Sequence, residues 1–273
     1  MKLATVRIEG GTSAAVEAEG ALTLLPFSDV GEWLRAGSPA VEAYDGGARL
    51  VLSEADFAPL VTAPGKIVCV GLNYREHILE MGRELPTHPT LFAKFADALI
   101  GANDPIVLPQ GSEAVDWEAE LAVVIGSRVS RATEEEAAAA IAGFTVANDI
   151  SARDFQRRTT EWLQGKTFDA TTPLGPFLLT ADEAGSAPAL EISCTVDGAT
   201  KQKADTGDLV FGPVELVRYI SAVTTLNPGD VILTGTPGGV GDGLNPKEFL
   251  ADGSVVTTSI SGIGECRNAC ILR

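Results

Sequence analysis

Residues 115–126 read VDWEAELAVVIG, and the rest of the chain is best understood outward from them. The second half, ELAVVIG, is a continuous apolar run of strand length, the pattern of a strand covered on both faces. The first half alternates, with Val115, Trp117 and Ala119 on one side and Asp116, Glu118 and Glu120 on the other. Like charges on one strand face repel, and an unpaired buried charge is costly. The acidic face is therefore either in water or covered by something positive.

The chain has 273 residues, a formal charge of −17 and 45% apolar content. That content supports a real core and excludes a disordered or collagen-like chain. The length predicts a small N-terminal domain, residues 1–63, and a main domain, residues 64–273, with VTAPGK as linker. The negative field opposes nucleic acid and anionic membrane surfaces, so neither is an expected partner. An acidic small molecule needs a local cation to hold it. MKLATVRIEGG lacks the apolar run of a secretory signal, and no stretch reaches the ~18 apolar residues of a membrane span, so a cytoplasmic protein is expected. Cys69, Cys194, Cys266 and Cys270 are too scattered for a disulfide framework and read as reduced thiols.

Strand-like segments outnumber helical ones and are joined by turns, which predicts an α+β or mainly β fold. KIVCVGL and GFTVANDI read as buried strands, as do TPLGPFLLT and the tail from Ser254. FSDVGEWLRAG, TEEEAAAAIAG and FGPVELVRYISAV read as helices. NYREHILEMG reads as a short helix with Asn73 as N-cap, and SARDFQRR opens a helix with Ser151 and Asp154 as a capping box. Asp149 then lies at a strand end.

With only two histidines, His77 and His88, a metal site built from several imidazoles is excluded. The signatures of serine hydrolases, P-loops and dinucleotide folds are absent. Glu118 and Glu120 share a strand face roughly 7 Å apart, and Asp149 can converge on them. Such an oxygen set suits Mg²⁺ or Mn²⁺, although a solvated face explains the same pattern. His77 and Glu80 are three apart on one helix, either a surface pair or a carboxylate-oriented general base. Lys166 stands in a Gly/Thr/Pro-rich stretch.

The order of VGLNYREHILEMG, PTLFAKF, IGANDPIVLP, VDWEAELAVVIG, GFTVANDISARDFQ, GKTFDATTPLGP and LNPGDVILTGTPGGVG resembles the fumarylacetoacetate hydrolase family, from about residue 64 to the end. The resemblance implies a mixed β-sandwich roll and a homodimer. It implies Glu118, Glu120 and Asp149 as ligands of Mg²⁺ or Mn²⁺, and His77 with Glu80 as a water-activating dyad on a lid-like segment. It further implies Lys166 as the active-site lysine. Gln156, Thr236 and Gly235 would meet substrate, with Tyr74 and Arg75 near them, and the N–H groups of TGTPGG would hold a carboxylate. The implied activity is hydrolysis of a C–C bond in an acylpyruvate such as fumarylpyruvate, giving pyruvate. The alternatives are oxaloacetate decarboxylation, isomerisation or decarboxylation of hydroxymuconate-type diacids, and a non-catalytic metal-binding protein.

Overall fold

The computed structural model describes residues 1–273 apart from Asp45, Met81 and the side chain of Glu80. The strand Ala119–Ile125 lies at its centre, with every residue buried. It pairs antiparallel with Ile141–Asn148 on one edge and with Val231–Leu233 on the other. Leu121, Val123 and Ile125 enter one core, with Phe144, Ile192, Val256 and Cys266. Ala122 and Val124 point the other way, into a core with Leu3, Trp33, Leu60 and Leu178. A strand clothed on both faces has no polar side to present, hence the unbroken apolar run.

From Ile141–Asn148 the sheet continues through Thr172–Thr180, Lys2–Ile8, Gly11–Ala18 and Ala21–Leu24 to Arg49–Val51. From Val231–Leu233 it continues through Ile67–Gly71 to Thr90–Lys94. The N-terminal strands thus extend the main sheet, with Lys2, Leu3 and Ala4 in register with Leu179, Leu178 and Phe177. A second sheet runs in the order Ala199–Asp205, Glu191–Val196, Val255–Ile260, Gly264–Leu272, Ile106–Leu108. Its alternating residues Ile192, Cys194, Val256, Ile260 and Cys266 close the first core. Val115–Asp116 and Ser151–Ala152 form a short separate ribbon. The result is the expected mainly β architecture of open mixed sheets. Among the described residues no helix is long and apolar enough to cross a membrane.

Most local expectations hold. FSDVGEWLRAG, TEEEAAAAIAG and FGPVELVRYISAV hold the helices Val30–Arg35, Glu134–Ala139 and Pro213–Val223, the first capped by Asp29 and the second by a Thr133–Glu136 capping box that the sequence reading did not name. Two do not. Helix Arg153–Gln156 follows Ala152 and has no side-chain cap, because strand pairing with Asp116 keeps Ser151 extended. The Ser151 hydroxyl instead donates to the Asp149 carbonyl, and Asp154 accepts from the Ser112 hydroxyl and the Glu113 N–H. Asn73 likewise does not cap helix Arg75–Glu80. Its Oδ1 accepts from the Phe211 N–H at 2.8 Å, while Nδ2 donates to the carbonyls of Phe211 and Thr234 at 3.0 and 2.8 Å. This buried amide rivets the stem before the helix to two distant segments.

Asn73→Ala removes all of these bonds and leaves their backbone partners unmatched in the interior. The expected loss in urea denaturation is about 2–4 kcal/mol; a loss below about 0.5 kcal/mol, typical of a surface change, would remove the rivet from the account.

Candidate active site

Where the central strand begins, the carboxylates of Glu118, Glu120 and Asp149 each offer an oxygen, all within 4.8 Å of one another. The three residues are 7%, 1% and 0% exposed, so the solvated-face explanation is excluded. Strand register brings them together. Asn148, the last residue of its strand, sits opposite Ala119, and the Asp149 N–H donates to the Glu118 carbonyl at 2.8 Å. Asn148 fixes the junction, accepting from the Glu118 N–H and donating to the Thr258 hydroxyl, both at 2.8 Å.

The positive cover has three sources. Lys166 Nζ bridges Glu118 and Asp149 at 2.6 and 2.7 Å. Lys94 Nζ lies 2.6 Å from the other Asp149 oxygen. Arg153 reaches Glu118 at 2.7 Å and Asp116 at 2.8 Å. Asp116 is a brace: besides Arg153 it accepts from the N–H groups of Trp117, Gly241 and Asp242. Four buried acids (Asp116, Glu118, Glu120, Asp149) face three buried bases (Lys94, Arg153, Lys166), so that with all of them ionised one negative charge would be in excess.

That charge falls on Glu120. One of its oxygens accepts from the Gly235 N–H at 2.6 Å, and among the described residues it has no ion pair. Burial, then the Asp149 and Glu118 carboxylates, push its carboxyl well above the ordinary range. Burial also opposes ionisation of Asp149, but Lys166 and Lys94 outweigh it and hold that carboxyl at about 2. An all-oxygen donor set with a surplus negative charge fits a hard divalent cation, which would relieve Glu120. The donor set suits Mg²⁺ and Mn²⁺ alike.

A cavity of about 300 Å³ opens onto the cluster, bordered by His77, Glu118, Gln156, Lys166 and Thr236 among others. Phe92 and Trp162 supply apolar wall, their rings edge to face at 5.4 Å, and Lys166 Nζ lies 5.1 Å from the Phe92 ring centre. Of the remaining sequence candidates, Tyr74 is buried beneath the helix and Arg75 is exposed at its start, off the cavity, since positions 75 and 77 point to different helix faces. The side chain of Glu80 lies outside the described residues. Within TGTPGG the Gly235 N–H donates to Glu120, and just beyond it the Gly241 and Asp242 N–H groups donate to Asp116.

Sequence reasoning missed Lys94, Arg153 and Gln202. Gln202 accepts from the Ala119 N–H at 2.9 Å and donates to the Thr236 hydroxyl at 2.8 Å, tying the loop to the acidic strand. The available signal for the two bases was the demand itself, since buried acids require buried cations, but nothing local distinguishes them from solvated ones.

The model of the fumarylacetoacetate (FAA) hydrolase C-terminal family matches residues 66–271. A Bos taurus protein named oxaloacetate tautomerase FAHD2A, mitochondrial, is 47% identical over 221 residues, 80% of this chain and 70% of its own. A fumarylacetoacetate hydrolase structure from Exiguobacterium antarcticum superposes with a TM-score of 0.91 at 30% identity, covering 100% of both chains. A Sphingobium sp. SYK-6 maleylpyruvate hydrolase, solved with manganese(II) and pyruvate, gives 0.82 at 27% identity, covering 100% of this chain and 99% of that one.

Stripped of divalent cations, the protein is expected to lose stability as pH rises above the ordinary carboxylate range. Native Glu120 then holds a proton that the unfolded chain has released, so the unfolded state binds fewer protons and the slope is negative, at most about 1.4 kcal/mol per pH unit. Asp149 acts oppositely, its contribution being lost only as pH falls toward about 2. Urea titrations between about pH 5 and 8 should show the slope flattened by Mg²⁺ and by Glu120→Gln; a slope that survives Glu120→Gln belongs to another group.

Proposed function

The chain belongs to the fumarylacetoacetate hydrolase family, and from that premise we propose that it interconverts the keto and enol forms of oxaloacetate, using a divalent cation held by Glu118, Glu120 and Asp149. The observation that carries this reading is the 47% identity to a protein named for that activity. The hydrolase-named structures described above are more distant, at 27–30%. The site's chemistry supports it. Enolisation needs a base at the carbon beside the 2-oxo group and positive charge at the oxygens that gain electron density. His77 and Lys166 border the same cavity and can divide those tasks.

In this reading His77 takes a proton from C3 of the keto acid while a water gives one to the 2-oxo oxygen, and in the reverse direction that oxygen yields its proton to water as His77 returns one to C3. Lys166 presents its ammonium to the oxygens that become negative, kept charged by Glu118 and Asp149. When bound, the cation supplies Lewis-acid polarisation of the 2-oxo group. Gln156 and Thr236 orient the substrate, and Phe92 and Trp162 exclude water. Residues 1–63 form a supporting unit, and the working form is a homodimer in the cytoplasm, although the relatives named above include a mitochondrial protein.

A second reading keeps the same residues. If His77 with Glu80 deprotonates water rather than substrate, the site hydrolyses an acylpyruvate to pyruvate; the spacing of the two on a helix that reaches the cavity favours it.

The deciding assay follows keto–enol interconversion of oxaloacetate, above its spontaneous rate, on EDTA-stripped protein with and without Mg²⁺ or Mn²⁺, beside pyruvate release from acetylpyruvate and fumarylpyruvate. Metal-dependent interconversion without pyruvate release is expected. Pyruvate from an acylpyruvate, with no effect on oxaloacetate, would replace the first reading by the second. His77→Ala should lower kcat about 10²–10⁴-fold with metal affinity within about twofold, measured by titration calorimetry; parallel loss of both would end the division between base and metal ligands.

A further inference from the structure

Among the described residues, Arg83, Arg153, Arg157 and Lys166 are the Lys and Arg residues that border the cavity over the carboxylate cluster. Three of them are committed to the protein's own carboxylates. Arg153 and Lys166 hold Glu118 at 2.7 and 2.6 Å. Arg157 pairs with Asp242 at the rim, and Lys247 Nζ meets the other oxygen of that carboxylate at 2.8 Å. Arg83 is exposed, and among the described residues its guanidinium has neither an ion pair nor a hydrogen bond.

The backbone ties Arg83 to the helix that carries His77. Gly82, at a φ of 66°, takes the left-handed conformation that follows helix Arg75–Glu80. Its N–H donates to the Leu79 carbonyl at 2.9 Å, and the Arg83 N–H donates to the Ile78 carbonyl at 3.2 Å, the paired bonds of a Schellman turn. Ile78 is buried, so the turn that presents Arg83 is anchored in the interior. The side chain is mobile in water, but its root is fixed at the edge of the cavity.

In the proposed function the 2-oxo end of oxaloacetate is met by Lys166 and the cation. Its far carboxylate enters a cavity walled in part by Phe92 and Trp162, loses water there and needs a positive partner. On a chain of formal charge −17 that partner has to be local. The rim can supply it, because Arg157 and Lys247 share the one carboxylate of Asp242 and Arg83 is uncommitted. We propose that Arg83 is a specificity residue, whose guanidinium receives the second carboxylate of a C4 diacid and selects it over a monoacid of the same chain length. The planar fork of an arginine matches a carboxylate through two parallel hydrogen bonds, which a methyl group cannot accept. The inference rests on the reading of oxaloacetate as substrate.

The test is titration calorimetry on the magnesium-loaded full chain with malate and 2-hydroxybutyrate. The second carries a methyl group where malate carries its far carboxylate, and neither has a 2-oxo group to enolise. Oxalate, which has no far end, is the control. Malate is expected to bind about tenfold more tightly than 2-hydroxybutyrate. Arg83→Gln should lower malate affinity about tenfold and leave oxalate and 2-hydroxybutyrate within about twofold. Arg83→Lys, which keeps the charge but not the fork, should retain part of the preference. Equal binding of malate and 2-hydroxybutyrate by the parent chain overturns the assignment. So does a preference that survives Arg83→Gln, or one that is lost with Arg157→Gln instead. Equal loss for all three ligands in Arg83→Gln also overturns it, since that marks a displaced helix rather than a missing contact. The readout is binding rather than turnover, so failure of oxaloacetate interconversion would count against the function proposed above and leave the malate result standing.

Discussion

Four carboxylates withdrawn from water at one point of the fold set the terms for what surrounds them. An ionised group in the interior carries a penalty of several kcal/mol unless it is paired and hydrogen-bonded. The chain answers from three separate places, with Lys94 at the end of a sheet strand, Arg153 in a short helix and Lys166 at the close of another. Backbone donors of the 235–242 loop complete the cover. None of these groups is near the acids in sequence by more than accident; the sheet register is what delivers them. Compensation also stops one charge short, and Glu120 is the carboxyl left over and driven toward its protonated form.

The central strand shows what was legible. Its unbroken apolar half announced burial on both faces, and its alternating half announced a charge problem that required a positive answer. Glu118, Glu120 and Asp149 were found because periodicity and strand ends are local properties. Lys94 was not, because TLFAKF reads like any strand whose lysine reaches solvent; only the Thr90–Lys94 pairing with Ile67–Gly71 turns it inward. Asn73 and Ser151 were misread for a related reason. Both are common capping residues, and long-range partners won over the local option. The sandwich roll itself came from family resemblance, since alternation alone does not say which strands pair.

The cavity's apolar wall depends on a close approach of the same long-range kind. A Cβ on Gly71 would stand 2.4 Å from the Trp162 ring, so the absence of a side chain at the end of that strand is what lets the indole lie against the backbone. Trp162 then supports Phe92, and Phe92 lies beneath the Lys166 ammonium. Apolar wall and charged cluster are thereby one mechanical unit.

Each oxygen of Asp149 meets an ammonium of the same chain. In many small metalloproteins the ion gathers ligands that would otherwise drift apart, so acquiring it and folding are one event. Here strand pairing and internal cations already gather the three carboxylates. Under the proposed function, loading a cation is an exchange of partners on a finished scaffold, and the chain matures before any metal arrives. On that proposal a shortage of the ion would cost the chain the stability tied to Glu120 but leave the assembled carboxylates in place, and resupply would restore the site without new synthesis.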